Sequence, residues 1–196
     1  MTYSNILGII LKMRKFLLIV TIVLILLTTN RAIAQELSPT PTPTPEIIKY
    51  DLAFPGILPD NPLYKLKILR DKISASLISD PKKKVEYYLL QTDKGILASA
   101  ILVDKNKVDL AKETALKAEN NMTLLTYELG NLPNKTNDPL FDKLKTASLK
   151  HQEVLRGLVK RVPEKDRNTF QTVIDFSKRN WKTIEDFQKY QGLPQK

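Results

Sequence analysis

His151 is the only histidine in this chain of 196 residues, and histidine is the side chain best suited to moving a proton near neutral pH. It falls on an apolar helical face, where it could act as a buried proton switch or as a ligand. A lone imidazole needs partners, but the chain has no cysteine, and Glu153, the nearest carboxylate in sequence, points to another side of the helix. We therefore predict a half-buried, hydrogen-bonded core histidine.

The acidic residues offer no pair suited to general acid and base catalysis. They are scattered singly, at helix starts or at helical spacing from a lysine, as in Asp71 with Lys67 and Glu113 with Lys117. Capping and surface ion pairs explain such positions, so we expect no enzyme activity. The absence of cysteine also excludes disulfides, thiolate metal sites and cysteine nucleophiles. The sequence thus predicts no catalytic residue, no metal site and no cofactor.

Three consecutive lysines form the one charge cluster that a function would explain. Lys82, Lys83 and Lys84 lie in the first turn of the helix that Asp80 starts, the end where positive charge is least favourable. Helix N-terminal N–H groups and three ammonium groups together can bind a phosphate or a carboxylate, which makes these lysines a candidate anion site. In the alternative interpretation they are simply solvated, and Asp80 and Glu86 offset their charge.

Residues 13–35 have the pattern of a secretory signal peptide, with two basic residues, an apolar run at 16–27 that contains one threonine, and a small-residue cleavage pattern ending at Ala34. We expect residues 1–34 to be removed after Ala34, with Met13 as the natural start. This run of twelve residues is short of the roughly 20 that cross a bilayer. An uncleaved anchor is the alternative. The expected location is secreted or extracytoplasmic, in the periplasm or at the cell surface, and membrane contact is limited to the signal segment before cleavage.

The remaining chain carries only a modest basic excess. The sequence has 31 Lys and Arg against 21 Asp and Glu, and residues 1–34 hold four of the basic residues and none of the acidic ones. A spread excess of this size favours a solvated surface over a nucleic-acid groove, so no nucleic-acid partner is expected. Residues 35–49 are a Pro/Thr-rich linker whose alternate prolines favour polyproline II, either as a disordered tail or as a stalk or glycosylated spacer. Residues 50–196 are long enough for one packed core.

From residue 60 onward the apolar spacing is helical throughout, and no strand is predicted. Prolines that follow Asn61, Asp80 and Asp138 indicate three helix starts, and acidic residues after Pro163 indicate another. The predicted apolar faces are Leu63, Leu66, Leu69, Ile73 and Leu77; Val85, Tyr88, Leu89, Thr92, Ile96, Ser99 and Val103; Ala111, Ala115, Ala118, Met122, Leu125 and Leu129; Phe141, Leu144, Ser148, His151, Leu155, Leu158 and Val162; and Phe170, Val173, Ile174, Ser177, Trp181, Ile184 and Phe187.

Five helices with short connections predict an all-α fold, an antiparallel up-and-down helical bundle. The second helix has apolar residues over a wide surface, which indicates contacts on two sides. Alanines in the third helix indicate close approach of a neighbour. The longest connection, residues 130–138, separates a core at 50–130 from a C-terminal helical hairpin at 138–190.

The loop that precedes the first helix is dense in turn-forming residues, and Pro55-Gly56 suits a turn in which glycine takes a positive φ. We treat it as a candidate motif surface, formed by Phe54, Pro55, Gly56, Ile57, Leu58 and Tyr64. If these apolar side chains fold back over the first helix pair, the loop is a structural clasp. If they stay exposed, it is a recognition surface.

The segments FPGILPDNPLYKLKILRDK and SDPKKKVEYYLL, within residues 50–125, resemble a family of exported bacterial proteins with an uncharacterised helical domain. The matching residues are Pro55, Gly56, Pro59, Pro62, Leu63, Tyr64, Asp80 and Pro81. The resemblance implies a proline-glycine loop, a first helix that opens with Pro-Leu-Tyr and a long second helix that starts at Asp-Pro. Residues 93–98 depart from the family pattern. The resemblance implies architecture and compartment, and it implies no site.

These observations favour an exported bacterial helical interaction or structural module of the cell envelope, without catalytic activity. The expected partner is an unknown envelope protein or an anionic polymer. An extracytoplasmic chaperone-like protein is the alternative, and it requires an exposed apolar groove, for which the wide apolar surface of the second helix is the first place to look. A protein that binds an anionic polymer requires a basic stripe instead.

Overall fold

The computed structural model describes residues 47–132 and 139–191, and five α-helices make up most of this part of the chain. The helices are α1 (Tyr64–Ser76), α2 (Pro81–Asp104), α3 (Val108–Glu128), α4 (Pro139–Arg161) and α5 (Glu164–Gln191), and a 3₁₀ turn (Leu129–Asn131) extends α3. The predicted all-α bundle is confirmed. The predicted signal peptide and most of the linker lie outside the described residues.

The helix starts follow the local rules that the sequence indicated. The Asp80 carboxylate accepts a hydrogen bond from the Lys83 N–H at 3.1 Å, and Pro81 is the first residue of α2. α1 starts at Tyr64, two residues later than predicted. Its start differs because Asn61 first closes a turn, in which the Asn61 Oδ1 accepts from the Leu63 N–H at 2.9 Å.

Helices α2 to α5 run up and down around two apolar clusters, one toward each end of the bundle. The first cluster lies near the α2–α3 connection and contains Ile96, Leu102, Val103, Ala111, Ala115, Ala118, Leu155, Leu158, Val162, Phe170, Val173 and Ile174. The second lies near the start of α2 and contains Val85, Leu89, Met122, Leu125, Leu129, Leu132, Leu140, Phe141, Leu144, Ala147 and Ile184. Both clusters draw on all four helices, so the C-terminal hairpin shares its core with α2 and α3. The face predicted for α3, and the core-facing predictions for α4, are confirmed.

The prediction for α1 was wrong in one respect: its apolar face does not join the core. No residue of α1 is buried, and Leu63, Leu66, Leu69, Ile73 and Leu77 are between 53% and 75% exposed. The spacing correctly identified an apolar face, but the core is already closed by the four longer helices. Instead, residues upstream of α1 cover the bundle. Leu52 packs against the first cluster and Tyr50 against the second.

The backbone of the leading segment is also tied to the bundle. The Ile48 N–H donates to the Glu153 carboxylate at 2.9 Å, which connects this segment to α4. Within residues 47–132 and 139–191, none of the helices is long and apolar enough to cross a membrane.

Candidate functional site

A groove of about 670 Å³ lies between α1 and the α2–α3 hairpin. One wall is the inner face of α1, with Tyr64, Ile68 and Ala75, and the other walls are built by α2 and α3. The remaining lining residues are Asp71, Lys72, Tyr87, Tyr88, Gln91, Leu116, Lys117, Asn120, Asn121 and Leu124. The groove exists because α1 stands on the hairpin without burying a side chain in it.

Few contacts hold α1 over this groove. The Tyr87 hydroxyl donates to the backbone oxygen of Asp71 at 2.6 Å. The Asp71 carboxylate pairs with Lys67 at 3.5 Å and with Arg70 at 2.7 Å, and both partners belong to α1 itself. The Lys67 ammonium also lies 5.2 Å from the centre of the Tyr64 ring. The attachment of α1 to the hairpin therefore depends on the hydrogen bond from Tyr87 rather than on buried side chains of α1.

The α3 wall of the groove carries two amide side chains, those of Asn120 and Asn121. In the described part of the chain neither amide takes part in a hydrogen bond, and both line the groove beside Leu116 and Leu124. An amide offers two N–H donors and a carbonyl acceptor, the same groups that a polypeptide backbone presents. The groove thus combines apolar walls with groups that can pair with main-chain N–H and C=O.

A layer of polar side chains crosses the middle of the bundle, between the two apolar clusters. His151 of α4 is fully buried, and its Nε2 lies 2.7 Å from the Asp93 Oδ1 of α2. The Tyr50 hydroxyl donates to the other carboxylate oxygen of Asp93, also at 2.7 Å. Burial and the hydrogen bond to Asp93 raise the pKa of Tyr50, which therefore stays protonated and donates. The predicted core histidine is confirmed, although it is fully rather than half buried.

Glu119 of α3 is the second buried carboxylate of this layer. Its Oε1 accepts from the Asn180 side-chain amide of α5 at 2.8 Å, and the same amide group donates to Thr123 at 3.1 Å. Burial raises the pKa of Glu119, while the nearby His151 and the Asn180 hydrogen bond act in the opposite direction. Two atoms of the layer, Glu119 Oε2 and His151 Nδ1, are buried without a hydrogen-bond partner among the described residues.

Two statements drawn from the sequence about acidic residues were therefore wrong. Asp93 and Glu119 are not surface or capping residues, and His151 does have a carboxylate partner, 58 residues away in sequence. A signal was present, because Asp93 lies four residues after Leu89 and Glu119 four residues after Ala115, on the buried stripes. In the described ranges no group of three or more His, Cys, Asp or Glu residues could hold a metal ion. We read the layer as structural.

The three lysines of the candidate anion site lie in the first turn of α2, where Lys82 and Lys83 are exposed and Lys84 is half-buried. The Lys84 ammonium pairs with the Glu128 carboxylate of α3 at 2.6 Å, and this hydrogen bond raises the pKa of Lys84. The Lys83 side chain is exposed, and its backbone N–H is taken by Asp80. Lys84 thus fastens α2 to the end of α3, a role that needs no ligand.

The predicted motif residues, which belong to the loop before α1 and the first residue of that helix, differ in their burial. Phe54 is 75% exposed and covers nothing, whereas Pro55 is buried. Gly56 has φ +66°, as predicted for the turn. Of the others, Ile57 is 40% exposed, while Leu58 and Tyr64 are half-buried. The part of this segment that covers the bundle therefore consists of Pro55, Leu52 and Tyr50. Phe54 does not take part.

Ion pairs fix the end of this loop to the α2–α3 connection. The Asp60 carboxylate lies 3.0 Å from the Lys105 ammonium and 2.9 Å from the Lys107 ammonium. Hydrogen bonds from these two lysines lower the pKa of Asp60. Both lysines lie in the connection before α3, so these pairs tie the residues just before α1 to that connection.

Comparison with known proteins adds a family. The model of a family described as a domain of unknown function (DUF5667) matches residues 56–165. The match agrees with the expectation of an uncharacterised domain, and it covers residues 56–165, which include α4, where residues 50–125 were expected. No match was found among curated proteins or among solved structures.

Proposed function

We propose that this chain, which belongs to the DUF5667 family of domains of unknown function, is a non-catalytic binding module whose groove beneath α1 holds an extended segment of a partner polypeptide. In this proposal the protein is exported from a bacterial cell and meets its partner in the cell envelope. It carries out no chemical step, and it needs no metal or cofactor.

The observation that carries the proposal is the groove between α1 and the α2–α3 hairpin. Its apolar and aromatic residues, among them Ile68, Tyr88 and Leu124, can remove apolar side chains of a partner from water. The amides of Asn120 and Asn121 can pair with the main chain of that partner. A polypeptide needs both kinds of contact at once, because its backbone N–H and C=O groups must stay hydrogen-bonded when it is buried.

Site-specific photo-crosslinking in the exporting cell tests this function. A benzoylphenylalanine replaces Asn121 in the groove, and a control replaces Lys182, which is exposed on α5. We expect adducts of discrete mass from residue 121 and none from residue 182. The double variant Asn120→Ala with Leu124→Ala should weaken any adduct formed through a probe at Gln91, on the opposite wall.

Two outcomes contradict the proposal. Equal adducts from residues 121 and 182 indicate collision rather than binding, and the absence of adducts from both groove positions removes the groove as a site. A broad set of many adducts from residue 121 alone supports the chaperone-like alternative over a single partner.

The export step has its own test. Mass spectrometry of material outside the cytoplasm should give a chain that starts at Gln35, since the small-residue pattern ends at Ala34. Recovery of an intact 16–27 segment in that material contradicts cleavage and supports an anchor.

A further inference from the structure

The outer face of α1 is a continuous apolar stripe that points away from the groove. At about 100° per residue, Leu66, Leu69 and Ile73 lie on the side of the helix opposite Tyr64, Ile68 and Ala75. Leu63 and Leu77 extend the stripe beyond both ends of the helix, and all five aliphatic side chains are more than half exposed. We call these five residues the outer stripe. Leaving five large aliphatic side chains in water is unfavourable, so a surface that covers them is expected.

The charges beside the outer stripe are basic. Lys65, Arg70 and Lys72 are exposed, and α1 carries a single acidic residue, Asp71. The Asp71 side chain is only 14% exposed and lines the groove with Lys72, while the exposed Arg70 reaches Asp71 from the edge of the outer stripe. For Lys65 and Lys72 no ion pair occurs within the described ranges. From outside, α1 therefore presents aliphatic side chains with the ammonium groups of Lys65 and Lys72 along one edge and the Arg70 guanidinium along the other.

We infer that α1 docks on an anionic lipid surface, with the outer stripe immersed at the level of the headgroups and Lys65 and Lys72 among the phosphates. An apolar stripe with basic residues at its edges is the pattern of a helix that lies in the membrane interface. Long lysine side chains can keep their ammonium groups in water while their methylene groups lie along the apolar boundary. The axis of α1 then lies parallel to the membrane, and the groove faces away from the lipid.

A lipid surface fits this face better than a second copy of the chain does. A stable protein interface uses about 20–30 residues on each side, and the outer stripe offers five. Two copies would also bring the lysines of one α1 against those of the other, with no exposed carboxylate on the outer face to pair with them. A membrane needs neither a shaped pocket nor a large area. The docking goes beyond the expectation that only the signal segment meets the membrane.

The test uses the full chain and exploits the absence of cysteine, since one introduced cysteine labels one place. An environment-sensitive fluorophore is attached to Leu69→Cys on the outer stripe, and to Tyr127→Cys on α3 as the control, because Tyr127 is also exposed, at 72% against 57% for Leu69, and does not line the groove. Because the readout is local, insertion of the 16–27 segment into the vesicle does not imitate it. Vesicles of phosphatidylglycerol are compared with vesicles of phosphatidylcholine.

We expect the label at residue 69 to shift to the blue and to brighten several-fold with phosphatidylglycerol, with a much smaller change with phosphatidylcholine and none at residue 127. In the Lys65→Gln, Lys72→Gln variant the docking equilibrium constant should fall about 25-fold, since each basic residue near an anionic surface contributes about fivefold. High salt should reduce docking in the same way.

Three results would overturn the inference. The first is a label at residue 69 that is unchanged by either vesicle. The second is a shift at residue 69 that occurs without vesicles and grows with protein concentration, which assigns the outer stripe to a second copy. The third is an equal response at residues 69 and 127. None of these results bears on crosslinking from the groove, so the inference and the proposed function fail separately.

Discussion

Gly95 of α2 faces Ala118 of α3 so closely that a Cβ on residue 95 would stand 2.5 Å from the Ala118 Cβ and 3.2 Å from its Cα. The second of these atoms belongs to the backbone, so a side-chain rotation cannot make room. The contact explains why a glycine occurs in the middle of a long helix, where it is otherwise unfavourable. It also places Asp93 and Glu119, each close in sequence to one member of this pair, at the same level of the bundle.

Gly95→Ala should lower the free energy of unfolding by about 1–3 kcal/mol, because the added methyl group forces α2 and α3 apart. Ala118→Gly alone should cost about 1 kcal/mol through its lower helix propensity. The double variant removes the 2.5 Å Cβ–Cβ contact and leaves the 3.2 Å approach to the backbone, so its loss of stability in urea unfolding should be smaller than the sum of the two single losses. Additive losses would contradict the close approach.

Tyr50→Phe should destabilise the protein by about 1–3 kcal/mol, because it removes a donor from the buried Asp93 carboxylate. Tyr127→Phe is the matched control, since Tyr127 is 72% exposed, and its effect should stay within about 0.5 kcal/mol. Chemical denaturation of both variants measures the difference. Equal effects would mean that the leading segment is not fixed through Asp93.

Glu119→Gln should stabilise the protein more at pH 8 than at pH 5. Burial raises the pKa of Glu119 in the folded state, so the folded protein holds a proton that the unfolded chain has already lost. The free energy of unfolding therefore falls as the pH rises from the ordinary glutamate pKa, roughly 4.3, toward the higher folded value. Glutamine keeps a carbonyl for Asn180 and does not ionise.

Glu128→Gln serves as the control of opposite sign. The hydrogen bond from Lys84 lowers the pKa of Glu128, so this carboxylate stabilises the fold above its ordinary pKa and loses that contribution as the pH falls. Melting temperatures between pH 2 and pH 5, the range around and below the ordinary glutamate pKa of roughly 4.3, should show Glu128→Gln losing stability relative to the parent protein as the pH rises. The same pH trend in both variants would contradict the assigned burial of Glu119.

Gly56→Val should cost about 1–2 kcal/mol, because a β-branched residue is strained at φ +66°. The space around a Cβ at this position is open, so backbone strain is the whole cause. Asparagine tolerates this conformation better, and Gly56→Asn should therefore melt closer to the parent protein than Gly56→Val does. If both variants melt together, the strain is not what restricts residue 56.

The sequence predicted those parts of the fold that depend on neighbours in the chain. Asp80 and Pro81 start α2 because side-chain capping and the fixed φ of proline act within one helical turn. These effects do not depend on how the helices pack in the bundle. The stripe from Ala111 to Leu125 marks the core face of α3, because the four longest helices have only each other to pack against. Such inferences need no knowledge of which helices are neighbours.

Long-range pairing was beyond what the sequence could predict. Periodicity identified an apolar face on α1, yet it cannot say whether anything covers Leu66 or Ile73. Asp93 and His151 meet from different helices, and a single sequence carries no record of that contact. For the groove, the sequence indicated only one wall, the wide apolar surface of α2, because the groove is bounded by three helices and lies where α1 does not pack against the other two.

The loose seating of α1 has a consequence for its motions. The chain is fixed on both sides of this helix, by the Tyr50 hydrogen bond to Asp93 before it and by the start of α2 at Pro81 after it. Opening of α1 therefore exposes few buried contacts and leaves both ends in place, so its return is intramolecular and fast. Amide hydrogens of α1 should exchange with solvent at a small opening free energy, while those of α3 and α4 should exchange only on global unfolding. The binding of a partner that displaces α1 therefore loses little free energy to the displacement. Because both ends of α1 stay attached, the helix remains close to its original position and can return when the partner dissociates.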